Sequence, residues 1–528
     1  MALINLLSSP LGLASGLVVF LAYYYLYPYF VTYRHLRDIP SPFPAAFTNW
    51  WLLYACRRGK RYEIVDEAHR RLKSKFVRIQ PNHVSVADDE AIQIIYGHGN
   101  GFLKSEYYDA FVSIKRGLFN TRDRAEHTRK RKMISHTFAP KSITQFEPYI
   151  AENLETFVDK WDDLAEKSPR GDKTAHVDCL AWFNYVAFDT IGDLAFGAPF
   201  GMLRAGADIA EVRTSLDAPP VYAPAVEILN RRGEVSATLG CLPSIKPYAK
   251  YLPDPFFSQG LAAVESLAGI AIARVKERLE NPPDIGRKDL LARLQEGRDE
   301  KGEPLGFEEL TAEALTQLIA GSDTTSNSSC ALLYHVVRTP GVLQKLQAEL
   351  DAAIPTTTSA TKKVPDYETV RNLPYLEAVI NETLRIHSTS GIGLPREIPA
   401  DNNNNNNNST VAGGVRILDR VFPAGTVLSV PTYTMHHSRD IWGDDADEFR
   451  PERWDPAVLT QRQRNAFIPF SYGPRSCVGR NVAEMEMKMI AATWARRYDV
   501  VLRQDRMHTR EGFLRKPLGL EIAFKRRV

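Results

Sequence analysis

The sequence predicts a mainly helical fold with a smaller β-rich part, preceded by one amino-terminal transmembrane helix. No charged side chain occurs before Arg34, whereas amphipathic helical stretches dominate the rest of the chain. Only residues 76–87 and 411–430 have the pattern of short strands and turns. The 528 residues are enough for a large core and show no repeat at the periods of solenoid proteins.

Residues 11–31 are the predicted membrane anchor. At a rise of about 1.5 Å per residue the run can cross a hydrocarbon core of about 30 Å, and tyrosines crowd its carboxyl end, where their rings favour the lipid interface. A cleaved signal peptide would carry basic residues before the apolar run, but Arg34, His35 and Arg37 follow it. We therefore expect a single-pass anchor in the endoplasmic reticulum membrane, with residues 1–10 lumenal and the rest of the chain cytosolic.

The prolines that follow the anchor predict a boundary. Residues 39–44 read IPSPFP, and three prolines in so short a run exclude a helix. We expect residues 32–50 to form a proline-rich linker and residues 51–528 to form one catalytic domain. Seven consecutive asparagines at 402–408 cannot build a core, which predicts a loop insertion at the surface of that domain.

Composition narrows the classes of function. The charged fraction is 24% and the formal net charge is +3, so bulk charge offers no argument for nucleic-acid binding. The five cysteines are odd in number and widely spaced, with neither zinc-type nor disulfide-type spacing. This pattern favours a reducing compartment for the main body of the protein.

The most informative segment is residues 470–479, which read FSYGPRSCVG. A lone thiolate such as that of Cys477 is a strong axial ligand for haem iron. The flanking Gly473 and Gly479 would let the backbone approach a porphyrin and direct N–H groups at the sulfur, and Arg475 could reach a haem propionate. The alternative interpretation is a buried free cysteine in a glycine-rich turn.

A second unusual segment lies inside a long predicted helix at residues 310–338. Residues 320–329 read AGSDTTSNSS, and glycine, serine and threonine are poor choices for a buried helix. A helix accepts such residues where a local distortion serves a function. The alternative is that a helix begins here and that Asp323 caps its amino terminus.

Together the pattern F-x-x-G-x-R-x-C-x-G and the Asp323-Thr324 pair resemble the cytochrome P450 superfamily of haem-thiolate monooxygenases. The resemblance implies the P450 fold and a haem b cofactor (iron protoporphyrin IX) whose metal is bound by Cys477. It also implies catalytic roles in proton delivery for Asp323 and Thr324, with Gly321 leaving room beside them. The residues implied for cofactor binding are His127, where the family often has tryptophan, Arg131, Arg396, Arg475 and Cys477.

Glu382 and Arg385, three apart on one predicted helix, are unremarkable as a surface pair. They stand upstream of Pro-Glu-Arg-Trp at residues 451–454, in the order that the superfamily shows. The resemblance implies that Glu382, Arg385 and Arg453 form a buried structural network that supports folding and haem retention.

Five stretches of the chain resemble the fungal benzoate para-hydroxylases, and they begin at Gly97, Phe188, Leu229, Arg385 and Thr509. The resemblance implies conversion of benzoate, O2 and two electrons to 4-hydroxybenzoate and water. Electrons would come from NADPH through a membrane-bound NADPH–cytochrome P450 reductase, because the chain has no dinucleotide fingerprint. A buried substrate carboxylate needs hydrogen bonds. Candidate substrate contacts are Ser388, Thr389 and Ser390, followed by Tyr107, Tyr108 and Lys104.

Three other functions stay open at this level. The first is a monooxygenase of the same fold that acts on another small aromatic or phenolic compound. The second is a reductase-independent haem-thiolate isomerase or dehydratase, which the Asp323-Thr324 pair disfavours. The third is a non-catalytic haem sensor, which would need neither a proton relay nor a membrane anchor.

Overall fold

The computed structural model describes residues 10–168, 171–213, 218–282, 287, 289–354, 362–400, 410–411 and 414–527. Its α-helices are α1 (Pro10–Tyr27), α2 (Trp50–Arg57), α3 (Arg61–Leu72), α4 (Glu90–Tyr96), α5 (Arg124–Ser135), α6 (Pro140–Ile143), α7 (Glu147–Glu166), α8 (Cys179–Phe196), α9 (Met202–Ala205), α10 (Ala225–Gly240), α11 (Pro255–Glu280), α12 (Leu290–Gln295), α13 (Phe307–Arg338), α14 (Val342–Ala353), α15 (Tyr367–Val370), α16 (Pro374–Ile386), α17 (Thr432–His436), α18 (Arg439–Trp442), α19 (Gln461–Ala466) and α20 (Arg480–Arg497). Short 3-10 helices cover Arg34–Leu36, Glu106–Phe111, Thr144–Phe146, Pro243–Tyr251, Pro451–Trp454 and Gly473–Arg475.

The strands are short. They are β1 (Phe76–Gln80), β2 (His83–Val86), β3 (Leu103–Lys104), β4 (Ala175–Asp178), β5 (Ala210–Val212), β6 (Val221–Ala223), β7 (Arg396–Glu397), β8 (Thr410–Val411), β9 (Gly414–Ile417), β10 (Arg420–Phe422), β11 (Val427–Ser429), β12 (Tyr498–Leu502), β13 (Thr509–Glu511), β14 (Arg515–Pro517) and β15 (Glu521–Arg526). The mainly helical class with a smaller β-rich part is therefore confirmed.

The chain forms two compact units. The smaller one consists of the residues up to Ser105 together with Ile392–Met435, and the larger one consists of Glu106–Gly391 and His436–Val528. The smaller unit holds a five-stranded sheet of order β1-β2-β11-β7-β3, in which β2 and β11 run parallel, and a three-stranded sheet of order β10-β9-β8. Both regions that the sequence predicts as strands, 76–87 and 411–430, lie in these sheets.

The amino-terminal helix α1 continues as a π-helix over Pro28–Thr32. The stretch Leu13–Thr32 has a mean hydropathy of 1.3, and none of its side chains is buried, so it is a candidate membrane span. Helix α11 is as apolar, with a mean hydropathy of 1.4, but half of that stretch is buried. Because α11 packs on α10 and α13, we interpret it as a core helix.

The proline-rich segment after the anchor contains no helix between residues 39 and 44, as predicted. It does not stand apart from the smaller unit, however. The carbonyl of Pro40 accepts a hydrogen bond of 2.9 Å from the Arg78 N–H, and Ser41 Oγ donates to the Arg78 carbonyl at 2.8 Å. The segment therefore packs on β1. The asparagine run at 402–408 lies outside the described residues, so its predicted surface position stays a prediction.

Helix α13 is central to the larger unit and packs against α8, α11, α16 and α20. It begins three residues earlier than the predicted helix and runs without interruption through Asp323. The alternative in which Asp323 caps a helix amino terminus is therefore wrong. Two further parts of this unit border α10, namely the 3-10 helix Glu106–Phe111 and the turn of the β13–β14 hairpin.

Candidate active site

The loop between α19 and α20 holds Cys477 in a constrained backbone. Gly473 has φ +70 and Ser471 has φ +62, and the left-handed conformation favours glycine at the first of these positions. The N–H of Cys477 donates to the carbonyl of Phe470 at 2.9 Å. The N–H of Gly479 donates to the cysteine sulfur, which favours the thiolate. The predicted donor to sulfur is thus present in the loop.

Cys477 is the exposed cysteine of the chain, whereas Cys56, Cys179, Cys241 and Cys330 are buried. Burial nevertheless raises the pKa of the Cys477 thiol, and the Gly479 N–H and the charge of Arg131 act in the opposite direction. The Cys477 side chain is therefore accessible although protein atoms surround it. This arrangement excludes the alternative of a simply buried free cysteine.

Helix α13 also has an accessible patch in its middle. Ala320 is exposed although its helix neighbours Leu318 and Ser322 are fully buried. Thr324 lies one turn further on the same face, and its Oγ1 donates to the Ala320 carbonyl at 2.5 Å. Helix α13 nevertheless continues as α-helix through this point, so the local distortion that the sequence suggested is not observed.

Asp323 and Gly321 have different surroundings. Oδ1 of Asp323 accepts from Nδ2 of Asn327 at 2.9 Å, and the side chain is half-buried. A Cβ added at Gly321 would lie 2.7 Å from Cδ1 of Ile191 on α8. The expectation that Gly321 leaves room beside the catalytic pair is therefore corrected, because the glycine instead permits the close packing of α13 on α8.

Three of the four basic residues predicted to bind the cofactor lie near the cysteine loop. Arg131 Nη1 donates to the Ser476 carbonyl at 2.5 Å, and His127 lies one turn before it on α5, 6% exposed. Burial lowers the pKa of Arg131, and Cys477 raises it. Arg475 donates to the carbonyl of Thr121 at 2.6 Å and so ties the loop to the chain before α5.

Arg396, the fourth basic residue predicted to bind the cofactor, belongs to the smaller unit. It is 2% exposed on β7, and its guanidinium lies 5.0 Å from the centre of the Tyr96 ring.

A buried charge cluster that the sequence did not reveal joins α5 to α13. Lys130 lies in a strongly basic stretch at residues 124–132. Lys130 is 2% exposed, and its Nζ lies 2.7 Å from Glu309 Oε1 and 2.9 Å from Glu313 Oε1. Glu313 also accepts from the Leu118 N–H at 3.1 Å. The two glutamates are one helical turn apart, but only the tertiary structure pairs them with Lys130.

The predicted structural network is assembled around one carboxylate, and all three members are buried. Glu382 accepts from Arg385 Nη2 at 2.8 Å and Nε at 2.9 Å, and from Arg453 Nε at 3.0 Å. The N–H of Arg450 and the Trp454 indole also donate to it, each at 2.9 Å. Burial raises the pKa of Glu382, but Arg385 and Arg453 outweigh it and hold that pKa below its ordinary value.

The hydroxyls predicted to hold a substrate carboxylate are mostly engaged by the protein. Nε2 of His436 accepts from the Ile468 N–H at 3.0 Å, so its Nδ1 donates to Ser388 Oγ, which donates in turn to the Leu384 carbonyl at 2.8 Å. Thr389 Oγ1 lies 2.9 Å from Ser328 Oγ.

The other predicted substrate contacts differ in exposure. Ser390 is half-buried, and Tyr107 and Tyr108 are buried with their ring centres 5.5 Å apart. Lys104 is buried on β3 of the smaller unit. These substrate assignments stay predictions.

Comparison with known proteins identifies the family. The cytochrome P450 family model matches residues 40–524, which is most of the chain. The chain belongs to the cytochrome P450 family. This P450 is 60% identical to a benzoate 4-monooxygenase of Aspergillus niger over 99% of both chains. It is also 29% identical to a cytochrome P450 monooxygenase of Emericella nidulans over 92% of both chains, and 29% identical to one of Aspergillus terreus over 89% of this chain and 91% of that one.

The residues of the site fit the haem that this family uses. An accessible thiol with a backbone N–H donor, cations beside it and an accessible helix face would provide the ligand, the propionate partners and the open space that haem requires. Among the described residues, no cluster of three or more His, Cys, Asp or Glu side chains forms a separate metal site.

Proposed function

We propose that this P450 is a membrane-anchored monooxygenase that hydroxylates benzoate at the para position. The observation that carries the proposal is the 60% identity, over 99% of both chains, to a benzoate 4-monooxygenase. One atom of O2 is inserted into the C–H bond at ring carbon 4, so that this carbon carries a hydroxyl group. The other atom leaves as water and takes up the two electrons of NADPH and two protons, so that 4-hydroxybenzoate, NADP+ and water are the products.

Bound haem would supply the iron that activates oxygen, and Cys477 is the residue suited to hold it. A thiolate at this position must be kept deprotonated although burial raises the pKa of the thiol. The Gly479 N–H and the positive charge of Arg131 oppose that effect. His127, Arg131 and Arg475 are the proposed partners of the haem propionates in the larger unit, and Arg396 is the proposed partner in the smaller unit.

Thr324 and Asp323 are the proposed proton carriers. The Thr324 hydroxyl is accessible and is held by one hydrogen bond to a backbone carbonyl, so rotation about χ1 releases its proton for donation. The neighbouring Asp323 carboxylate is half-buried and would relay a proton to the hydroxyl oxygen. The pair would thereby hold the proton at Thr324 Oγ1 and replenish it.

The proposed monooxygenase function also implies an electron donor and a location at a membrane. We propose a partnership with a membrane-bound NADPH–cytochrome P450 reductase and location in the endoplasmic reticulum, where the exposed apolar stretch Leu13–Thr32 contacts membrane lipid. The basic residues after this stretch would keep the catalytic domain cytosolic. In sealed microsomes, external protease should digest the catalytic domain, and full protection of that domain would contradict this topology.

The direct test is product analysis. Full-length protein reconstituted with reductase, NADPH and lipid should convert benzoate to 4-hydroxybenzoate, with benzamide and toluene much poorer substrates. Cys477→Ser should lose both the product and the thiolate signature of the reduced carbon monoxide adduct. The benzoate assignment fails if wild-type enzyme ignores benzoate but hydroxylates neutral aromatics or fatty acids.

A further inference from the structure

Among the described residues of the larger unit, two cations lie buried without an ion-pair partner. Arg232 on α10 is 5% exposed, and its Nη2 donates to the Phe111 carbonyl at 3.1 Å. Its Nε has no hydrogen-bond partner among the described residues. Lys516 on β14 is 7% exposed. In the described part of the chain, no carboxylate oxygen lies within 4.0 Å of either cation.

The carboxylates near these cations do not balance them. Glu234 is close to Lys516, but it is already paired with Arg510 at 2.8 Å. Asp323 is the other nearby carboxylate, and it interacts electrostatically with both Arg232 and Lys516. Among the described residues, the two buried cations therefore share one carboxylate that has no ion pair of its own, and Lys246 is a further cation that interacts with Arg232, so positive charge is in excess here. Burying a cation without a partner is unfavourable, so the arrangement favours a bound anion such as a carboxylate monoanion.

Burial affects both cations strongly. It lowers the pKa of Arg232 to about 10, while Asp323 acts in the opposite direction. It also lowers the pKa of Lys516, against the influence of Asp323 and Glu234. A carboxylate placed between these groups would reverse both effects.

An aromatic cluster borders Arg232. The ring centres of Phe111, Phe119 and Phe513 lie 4.9 to 5.7 Å apart, and the Arg232 guanidinium lies 5.5 Å from the centre of the Phe111 ring. Phe513 stands in the β13–β14 turn, three residues before Lys516. The surroundings therefore offer apolar rings and positive charge together, which is what an aromatic ring with one carboxylate requires.

Two more observations connect this cluster with the substrate. Ser236 lies one turn after Arg232 on the same face of α10, is 1% exposed, and its Oγ has no hydrogen-bond partner among the described residues. Asp323, which interacts electrostatically with both cations, is the neighbour of Thr324 on α13. The unpaired donors and the catalytic pair thus belong to one region of the larger unit.

We propose that Arg232 and Lys516 bind the substrate carboxylate, with Phe111, Phe119 and Phe513 beside the aromatic ring. The anchor rests on the proposed function, because benzoate supplies the monoanion. Ser236 is an additional hydrogen-bond donor in this anchor. Holding the carboxylate at one end of the ring presents the opposite carbon for hydroxylation, and neutral analogues leave the cations unpaired and bind poorly.

The test compares charged and neutral ligands. Dissociation constants for benzoate and benzamide would be measured on the full-length holoenzyme by the haem spectral shift and independently by calorimetry. Arg232→Met and Lys516→Met should each weaken benzoate binding at least about tenfold and change benzamide binding little, so the preference for the anion collapses. Arg232→Lys should restore part of that preference.

Matched controls remove one positive charge from the surface. Arg231→Met alters the exposed neighbour of Arg232, and Lys525→Met alters an exposed lysine on β15, and neither should change the preference for benzoate. The reduced carbon monoxide spectrum checks the fold of each variant. If Arg232→Met does not fold, Arg232→Gln, which can still donate to the Phe111 carbonyl, replaces it.

The outcomes separate the two proposals. If wild-type protein does not bind benzoate by either method, the proposed function fails. If wild-type protein binds benzoate and the preference for benzoate over benzamide survives loss of both cations, the function stands and the anchor is refuted. The second result would mean that Arg232 and Lys516 serve only to neutralise Asp323.

Discussion

Two buried charge clusters in the larger unit differ in how completely their hydrogen bonds are made. The Glu382 carboxylate accepts five hydrogen bonds, and the remaining donors of Arg385 reach the carbonyls of His436, Ala446 and Glu448. The Arg232 guanidinium is buried nearly as well but makes one hydrogen bond of 3.1 Å. Lys516 has no carboxylate within 4.0 Å among the described residues.

This difference separates a structural role from a binding role. A buried charge whose partners all come from the protein contributes to the fold and has nothing left to offer a ligand. A buried charge whose partners are missing is unfavourable in the free protein and becomes favourable when a complementary ligand arrives. The comparison predicts opposite responses to mutation in the two clusters.

The largest expected effect is on the completed cluster. Glu382→Ala leaves the cations of Arg385 and Arg453 buried without their carboxylate, which should lower the free energy of unfolding by about 3–5 kcal/mol. Urea unfolding of the full-length protein in detergent measures this loss, and the carbon monoxide spectrum measures haem retention. Glu377→Ala, an exposed position on the same helix, is the control. A loss below about 1 kcal/mol would contradict the structural role.

A buried carboxyl with one hydrogen-bond partner should respond to mutation in a way that lies between the completed and the incomplete cluster. Glu486 on α20 is 5% exposed and accepts from Thr325 Oγ1 at 2.9 Å, and burial raises its pKa to about 7. The folded protein therefore keeps a proton that the unfolded chain releases, so the free energy of unfolding should fall as pH rises from about 4.5 to about 7.

Glu486→Gln should remove this pH dependence and stabilise the protein at pH 8 by about 3 kcal/mol, since one pKa unit corresponds to about 1.36 kcal/mol and the pKa rises from 4.5 to about 7. Urea unfolding at several pH values measures the effect. Glu484→Gln, a partly exposed neighbour paired with Arg480, is the control. Parallel pH profiles for wild type and Glu486→Gln would show that Glu486 is ionised in the folded protein.

The incomplete cluster should respond in the opposite direction to the complete one. Arg232→Met removes an unpaired buried cation, so the ligand-free protein should keep its free energy of unfolding or gain about 1 kcal/mol. Benzoate should raise the melting temperature of wild-type protein but not of the variant, because only the wild type binds it tightly. Thermal unfolding with and without benzoate measures both effects. A destabilisation above about 2 kcal/mol would assign Arg232 a structural role.

The smallest effect is expected at the adjacent surface arginine. Arg231 is half-exposed and pairs with Glu227 one turn earlier, at 2.9 Å. Arg231→Ala should change the free energy of unfolding by no more than about 0.5 kcal/mol, because exposed pairs of this spacing are weak. Unfolding and benzoate titration of the same sample would test this. A large loss of benzoate affinity would mean that surface charge, and not burial, governs binding.

Local patterns account for the parts of the fold and the site that the sequence predicted well. The thiolate loop is contained in ten consecutive residues, so the donors around Cys477 follow from one short segment. The strand regions and the long helix α13 also carry their own periodicity, and the predicted start of α13 differs from the observed one by three residues. Gly321 was misread because its neighbour Ile191 comes from another helix.

Pairings between distant segments could not be predicted from local sequence patterns. Lys130 pairs with Glu309 and Glu313 across two helices, and nothing in the local sequence distinguishes it from the basic residues around it. Ser388 looked free to bind a carboxylate, but His436 occupies its hydroxyl. Whether a polar group is available to a ligand depends on every segment packed against it, and one segment cannot show this.

The sequence by itself determined the chemistry of this protein, namely a cysteine loop for haem, an acid–threonine pair on a long helix and an apolar amino-terminal stretch. These are local features whose residue types and spacing suffice to identify them. The tertiary structure alone decided which buried charges are satisfied, and so which residues are left for the substrate. Arg232 and Lys516 come from distant parts of the chain, and their lack of a carboxylate partner among the described residues exists only once the chain has folded around them.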